Sequence, residues 1–191
     1  MDKPTRFVVV PVANRAHINS RGQHAVCAGT MVQIFQRQSQ AYLQLRGNKP
    51  VLFRPLAKRS DYEAVPVTTV RADLQWKLQA LSMQWAGRTV AHGPANEGGN
   101  VCIYTLRDAI SNQYLREVKR ELSFADTDTQ PECHWNLVPF AADTTTFIVE
   151  RTQFYLQNAV SGNRLGQNQS TKERISASVL DLRAEAPDMS M

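Results

Sequence analysis

The chain has 191 residues, a hydrophobic fraction of 42% and a formal charge of +5, which suits one globular domain with a sizeable core. No run of about 18 apolar residues could cross a bilayer as a helix, and the opening Met1-Asp-Lys-Pro-Thr-Arg6 lacks the charged-then-apolar layout of a secretory leader. The expectation is a cytoplasmic protein, or one secreted without a signal peptide.

Cys27, Cys102 and Cys133 are odd in number and never form a Cys-x-x-Cys pair. Neither a disulfide framework nor a zinc knuckle is indicated, and buried free thiols are expected. The basic residues are interspersed with acidic ones, Lys58-Arg59 and Lys119-Arg120 being the densest pairs. That distribution reads as a solvated surface, and nucleic acid is not an expected partner.

In chain order, Arg6-Phe-Val-Val-Val-Pro-Val12 predicts a strand with Pro11 near its end or at an edge. A polar loop carrying His17 and His24 follows. Residues 1–28 are set apart as an amino-terminal strand and loop. Met31-Val-Gln-Ile-Phe35 predicts a strand, residues 36–40 a turn, and Ala41-Tyr-Leu-Gln-Leu45 the returning strand of a hairpin. Arg46-Gly-Asn-Lys-Pro50 supplies a second turn before Val51-Leu-Phe53. An insertion with Pro55 and Pro66 precedes Leu74-Gln-Trp-Lys-Leu78, whose alternation puts Leu74, Trp76 and Leu78 on one face.

Residues 82–99 are the most glycine-rich part of the chain and read as a long surface loop or a short hairpin around Ala86-Gly87. The earlier pattern then recurs in Val101-Cys-Ile-Tyr104, Asn112-Gln-Tyr-Leu-Arg116, Glu121-Leu-Ser-Phe124 and Trp135-Asn-Leu137. The acidic loop between the last two holds Asp126 and Asp128 but lacks the glycine and closing glutamate of a calcium loop. A third copy is read in Thr146-Phe-Ile-Val149, Phe154-Tyr-Leu-Gln157, Asn163-Arg-Leu165 and residues 175–182. Here Val179 or Leu180 would replace the tryptophan, and residues 184–191 would be a flexible tail.

Three copies of four strands, over about residues 29–81, 99–140 and 144–183, predict an all-β domain spanning 29–183. Such repeats bury their faces only against one another, and closure removes exposed edges. The pattern of strand, Tyr-Leu hairpin, lone Leu and Trp-x-Leu resembles the β-trefoil, a fold closed by pseudo-threefold symmetry. Gly29-Thr-Met-Val-Gln-Ile34 with Tyr42-Leu43 looks like the openings of MIR-like repeats. Tyr155-Leu-Gln-Asn158 with Gly162-Asn-Arg-Leu165 is similar to fascin-like and ricin-B-like modules. The Gln-x-Trp string usual in ricin-B-type lectins is absent. The shared Tyr-Leu and Trp-x-Leu residues are expected to be core.

No Gly-x-Ser-x-Gly elbow, His-Glu-x-x-His pair or phosphate-cradling Gly-x-x-x-x-Gly-Lys-Ser/Thr loop is present. His17, His24, His92 and His134 are far apart, and Cys133-His134 lacks a second ligand pair. No enzymatic activity, cofactor or metal is expected. Sugar recognition needs an aromatic face plus amide, carboxylate and Arg groups. Two stretches supply them: Trp85, Arg88, His92, Asn96 and Glu97 on the glycine-rich segment, and Asn158, Asn163, Arg164, Gln167 and Asn168 around a turn. Trp85 could instead plug one end of a barrel, and the amides could be ordinary turn chemistry.

The reading that results is a non-enzymatic recognition module, a carbohydrate-binding lectin whose partner is a glycan or glycoprotein. The alternative is a protein-binding trefoil. It would act as an adaptor through Arg46, Lys49, Arg54, Lys58 and Arg59, or as a protease inhibitor through the proline-bearing insertion at 54–72. The oligomeric state stays open.

Overall fold

A strand that buries one face hides every second side chain, so strands of this composition are soluble only when their apolar faces meet across a shared core. The computed structural model describes residues 5–11, 17–18, 24–25, 31–54, 72–82, 84–85, 88–89, 103–140, 153–167 and 179–186. These residues are all-β, with two single 3-10 turns at Ala72–Leu74 and Pro131–Cys133. The strands of the first copy are β4 (Met31–Gln36), β5 (Ala41–Arg46), β6 (Lys49–Phe53) and β7 (Gln75–Ser82). Those of the second are β10 (Ile103–Asp108), β11 (Tyr114–Val118), β12 (Glu121–Ala125) and β13 (Trp135–Pro139). They are joined by β14 (Phe154–Asn158), β15 (Arg164–Gln167), β16 (Val179–Glu185) and the amino-terminal β1 (Val8–Pro11), giving one sheet of 12 strands.

Antiparallel pairing runs from β4 to β7, β10, β13 and β14. The ring closes because Phe7 and Phe154 exchange two backbone hydrogen bonds, each 2.9 Å, while β1 pairs with β4. Six strands thus form a closed ring, which pairs the two edges that the same strands would expose as a flat sheet. The other six form pairs β5–β6, β11–β12 and β15–β16, of which β6, β12 and β16 pack together across one end. Two short ladders lie off the sheet: β2 (His17–Ile18) with β3 (His24–Ala25), where a loop was expected, and β8 (Gln84–Trp85) with β9 (Arg88–Thr89). The second is the short hairpin read around Ala86-Gly87.

The barrel is filled from equivalent places. Trp76 lies opposite Val32, Trp135 opposite Tyr104, and Phe7 opposite Phe154, and all three aromatics are fully buried. A buried indole N–H needs an acceptor. Trp76 Nε1 donates to the Leu43 carbonyl at 3.0 Å, and Trp135 Nε1 to the Leu115 carbonyl at 2.9 Å. Leu43, Leu115 and Leu165 are buried as expected, whereas Tyr42 and Tyr114 are only half-buried.

Three expectations shift. Phe7, not Val179 or Leu180, stands in the tryptophan's place, so the strand within residues 1–28 is part of the barrel; Leu180 pairs with Leu52 instead. In burial and pairing the strand that matches β4 and β10 is Phe154–Asn158; Tyr155-Leu156 therefore aligns with Thr105-Leu106, not with Tyr114-Leu115. Residues 146–149 lie outside the described residues. Ala184 and Glu185 belong to β16 rather than to a tail. The shift has a simple cause: either strand of a half-buried hairpin satisfies its core with an aromatic-Leu pair, so that pair does not identify the strand.

Phe7→Ala is expected to cost about 3–5 kcal/mol, as for other large aromatics removed from a core. A urea melt gives the value, and a loss within about 0.5 kcal/mol would show that the first strand is dispensable.

Candidate functional site

The turns that leave β4, β10 and β14 share one construction. Gln36, Asp108 and Asn158 end these strands and are buried. The side-chain oxygen of each accepts the backbone N–H of the serine three residues on, Ser39, Ser111 or Ser161. The next residue is left-handed in every case, with φ of 55° at Gln40, 60° at Asn112 and 72° at Gly162. Such side-chain acceptors replace hydrogen bonds that a tight turn cannot make to its own backbone.

This construction absorbs several of the amides proposed for sugar binding. Asn158 accepts from the Val160 and Ser161 amides at 3.0 and 3.1 Å and donates from Nδ2 to the Glu132 carbonyl at 2.8 Å. Asn163 donates from Nδ2 to Glu117 Oε1 at 3.2 Å, and the Ser161 hydroxyl donates to the other Glu117 oxygen. Arg164 Nε donates to Gln157 Oε1 at 3.2 Å while its guanidinium lies 4.2 Å above the Tyr155 ring. The backbone N–H of Gln167 donates to Thr5 Oγ1 at 2.7 Å. In the other proposed stretch, Trp85 and Arg88 are paired backbone positions of β8 and β9. His92, Asn96, Glu97 and Asn168 lie outside the described residues, as do Lys58, Arg59 and most of the 54–72 insertion.

Cys133 and His134 hold the acidic loop. The Cys133 thiol donates to the Thr127 carbonyl at 3.6 Å, and His134 Nε2 meets the Asp128 carbonyl at 2.9 Å. Burial pushes the Cys133 thiol up from 9.0 to about 11, with Arg116 pulling it down and Glu132 and Asp128 adding to the rise. Cys133 is thus a buried free thiol as expected; Cys27 and Cys102 lie outside the described residues. Among the described residues no group of three His, Cys, Asp or Glu is placed to hold a metal. No helix among them is long and apolar enough to cross a membrane.

A concave site emerges where β6, β12 and β16 meet. Strand pairing places Pro50 opposite Leu45, Leu122 opposite Glu117, and Leu182 opposite Gln167, so these three occupy equivalent positions. Pro50 is buried and the two leucines half-buried; together they line the inner part of a cavity of about 510 Å³. One residue earlier on each strand stand Lys49, Glu121 and Asp181, all exposed at its mouth, with Arg120 and Arg183 beside them. The volume is that of an ordinary small-ligand pocket. An apolar floor under donors and acceptors of both signs suits an amphipathic polyhydroxylated ligand. Of this set, the sequence singled out Lys49 as part of a basic patch and Arg120 as one of a dense basic pair. The signal was available in the charged residue that precedes each apolar position on β6, β12 and β16, but it is visible only once the third strands are aligned.

No protein-family model matches the chain, and no curated protein sequence does. Solved structures do resemble it. The SDF2-like protein of Arabidopsis thaliana superposes with a TM-score of 0.62 at 12% identity, covering 85% of this chain and 89% of its own. A Caenorhabditis elegans protein of unknown function gives 0.56 at 12% identity over 85% and 90%. The designed 3-fold symmetric protein ThreeFoil gives 0.51 at 12% identity over 84% and 91%. The neighbours are β-trefoil proteins, and at this identity the likeness concerns the fold.

Two measurements check this anatomy. Asn158→Ala removes a turn acceptor and the donor to the Glu132 carbonyl, for an expected loss of about 2 kcal/mol in chemical denaturation. Because the folded pKa of Cys133 is raised, its stabilising contribution is full below pH 9.0 and fades as pH rises toward about 11. Stability of the wild type should therefore fall more steeply across that window than that of Cys133→Ala.

Proposed function

We propose that the chain is a three-repeat β-trefoil, with units β4–β7, β10–β13 and β14–β16 completed by β1, and that it acts as a non-enzymatic carbohydrate-binding module. The observation that carries this reading is the cavity on the axis where β6, β12 and β16 meet. The C–H face of a sugar ring would rest on Pro50, Leu122 and Leu182. Its hydroxyls would donate to the Glu121 and Asp181 carboxylates and accept from Lys49 and Arg120. A fold of this kind carries its function in such grafted positions rather than in its core.

A protein-binding reading rests on a different surface. Ile110 and Val160 are 61% and 63% exposed at equivalent places in the turns after β10 and β14. Two exposed β-branched residues at related tips could seat an apolar partner. The basic set is less favourable to it, since Arg54 donates to the Ser39 carbonyl at 2.9 Å and Lys49 stands at the cavity.

Glycan-array binding separates these readings. Glu121→Gln combined with Asp181→Asn is expected to lower glycan binding at least about tenfold, the loss of one or two charge-assisted hydrogen bonds, with circular dichroism unchanged. If that variant binds normally and Trp85→Ala does not, the site belongs to the glycine-rich segment. If neither changes a glycan signal while Ile110→Ser with Val160→Ser abolishes capture of a protein partner, the adaptor reading replaces the lectin one.

A further inference from the structure

We infer that the axial cavity takes a saccharide bearing an anionic group, and that Arg120 is the residue that reads this group, an inference resting on the carbohydrate reading above. The hairpin between β11 and β12 turns through Lys119 and Arg120, whose φ angles are 50° and 70°. Two consecutive left-handed residues form the tightest hairpin turn, one that normally uses Asn-Gly because a Cβ is strained there. The corresponding turn between β5 and β6 uses Gly47, at φ 62°, followed by Asn48. The chain thus places bulky basic residues where turn chemistry asks for the smallest.

Local preference does not hold this conformation; a buried carboxylate does. Glu117 is 2% exposed and accepts the Arg120 backbone N–H at Oε1, 2.6 Å away. Its oxygens also receive the Ser161 hydroxyl and Asn163 Nδ2 from the turn after β14. Two separate turns therefore clamp Arg120 at the mouth of the cavity. A strained backbone held by an outside network and presenting a charge to a pocket is the pattern of a functional position.

The ligand's charge follows from what is already satisfied. Among the cavity's cations, Arg183 is ion-paired with Glu185 at 2.6 Å. Among the described residues, no hydrogen bond or ion pair engages the side chains of Lys49, Arg120, Glu121 or Asp181. A neutral sugar would serve the two carboxylates through its hydroxyls and give the cations only weak acceptors. An acidic sugar would serve both, with its carboxylate or sulfate taking paired N–H bonds from the Arg120 guanidinium.

The test titrates the full chain with one oligosaccharide in neutral, carboxylated and sulfated forms. The wild type is expected to prefer a charged form at least about tenfold, one charge-assisted contact, and the two charged arms tell carboxylate from sulfate. Lys119→Asn with Arg120→Gly should raise Tm by about 4–8 °C through relief of two strained residues and should erase the preference. Lys119→Asn alone should raise Tm and keep it. Equal wild-type affinity for neutral and charged forms, or a double variant that keeps the preference, would overturn the role of Arg120 while leaving the carbohydrate reading standing. A double variant less stable than wild type would overturn the strained-placement argument. A wild type that binds none of the three forms would overturn both readings.

Discussion

Everything in this structure depends on the closure of the six-stranded ring. A sheet of this size with one apolar face must find a second surface, and here it finds itself: β4, β7, β10, β13, β14 and β1 return to their starting point, and Phe7, Trp76 and Trp135 meet inside. Closure requires the first strand in the chain to occupy a place that the repeat pattern would give to the last. The core then joins residues from both ends of the sequence. Non-local pairing of this kind is slow to nucleate but joins the two ends of the barrel sheet once formed.

Closure also creates the cap. Once the barrel strands are fixed, β6, β12 and β16 must converge at one end, and whatever side chains precede their apolar positions come together around a single cavity. Equivalent strand pairing fixes the positions but not the chemistry. Lys49, Glu121 and Asp181 occupy one level with different charges, which avoids the repulsion of three like groups and leaves the mouth able to meet donors and acceptors together. The turns behave differently. Gln36, Asp108 and Asn158 keep the same acceptor role because each turn must satisfy the same backbone groups, so variation there is limited to residues that can cap.

Much of the strand content was legible in the residues. Alternation marked β4, β5, β7 and β13, and the Trp-x-Leu pairs were correctly read as core. The turn signature was equally present, since Asp108-Ala-Ile-Ser-Asn112 and Asn158-Ala-Val-Ser-Gly162 are plainly related. Matching turns rather than Tyr-Leu pairs aligns β14 with β10, as burial and pairing also do, because a turn has stricter demands than a half-buried strand. The candidate site was less legible. Asn158 and Asn163 were prominent as amides, and their partners, Glu132 and Glu117, lie 26 and 46 residues away.

What the sequence determined by itself is local: which segments are extended, where the chain reverses, and which side chains must leave water. Those properties follow from period-2 burial and from the backbone needs of turns, both of which operate within a few residues. Tertiary structure alone decided that Phe7 stands as the counterpart of two tryptophans, that Ser161 and Asn163 anchor the buried Glu117 beneath the Arg120 turn, and that three unrelated charged residues share one cavity. Each of these depends on contacts between strands far apart in the chain, and a half-buried strand reads the same whichever neighbour it finally meets.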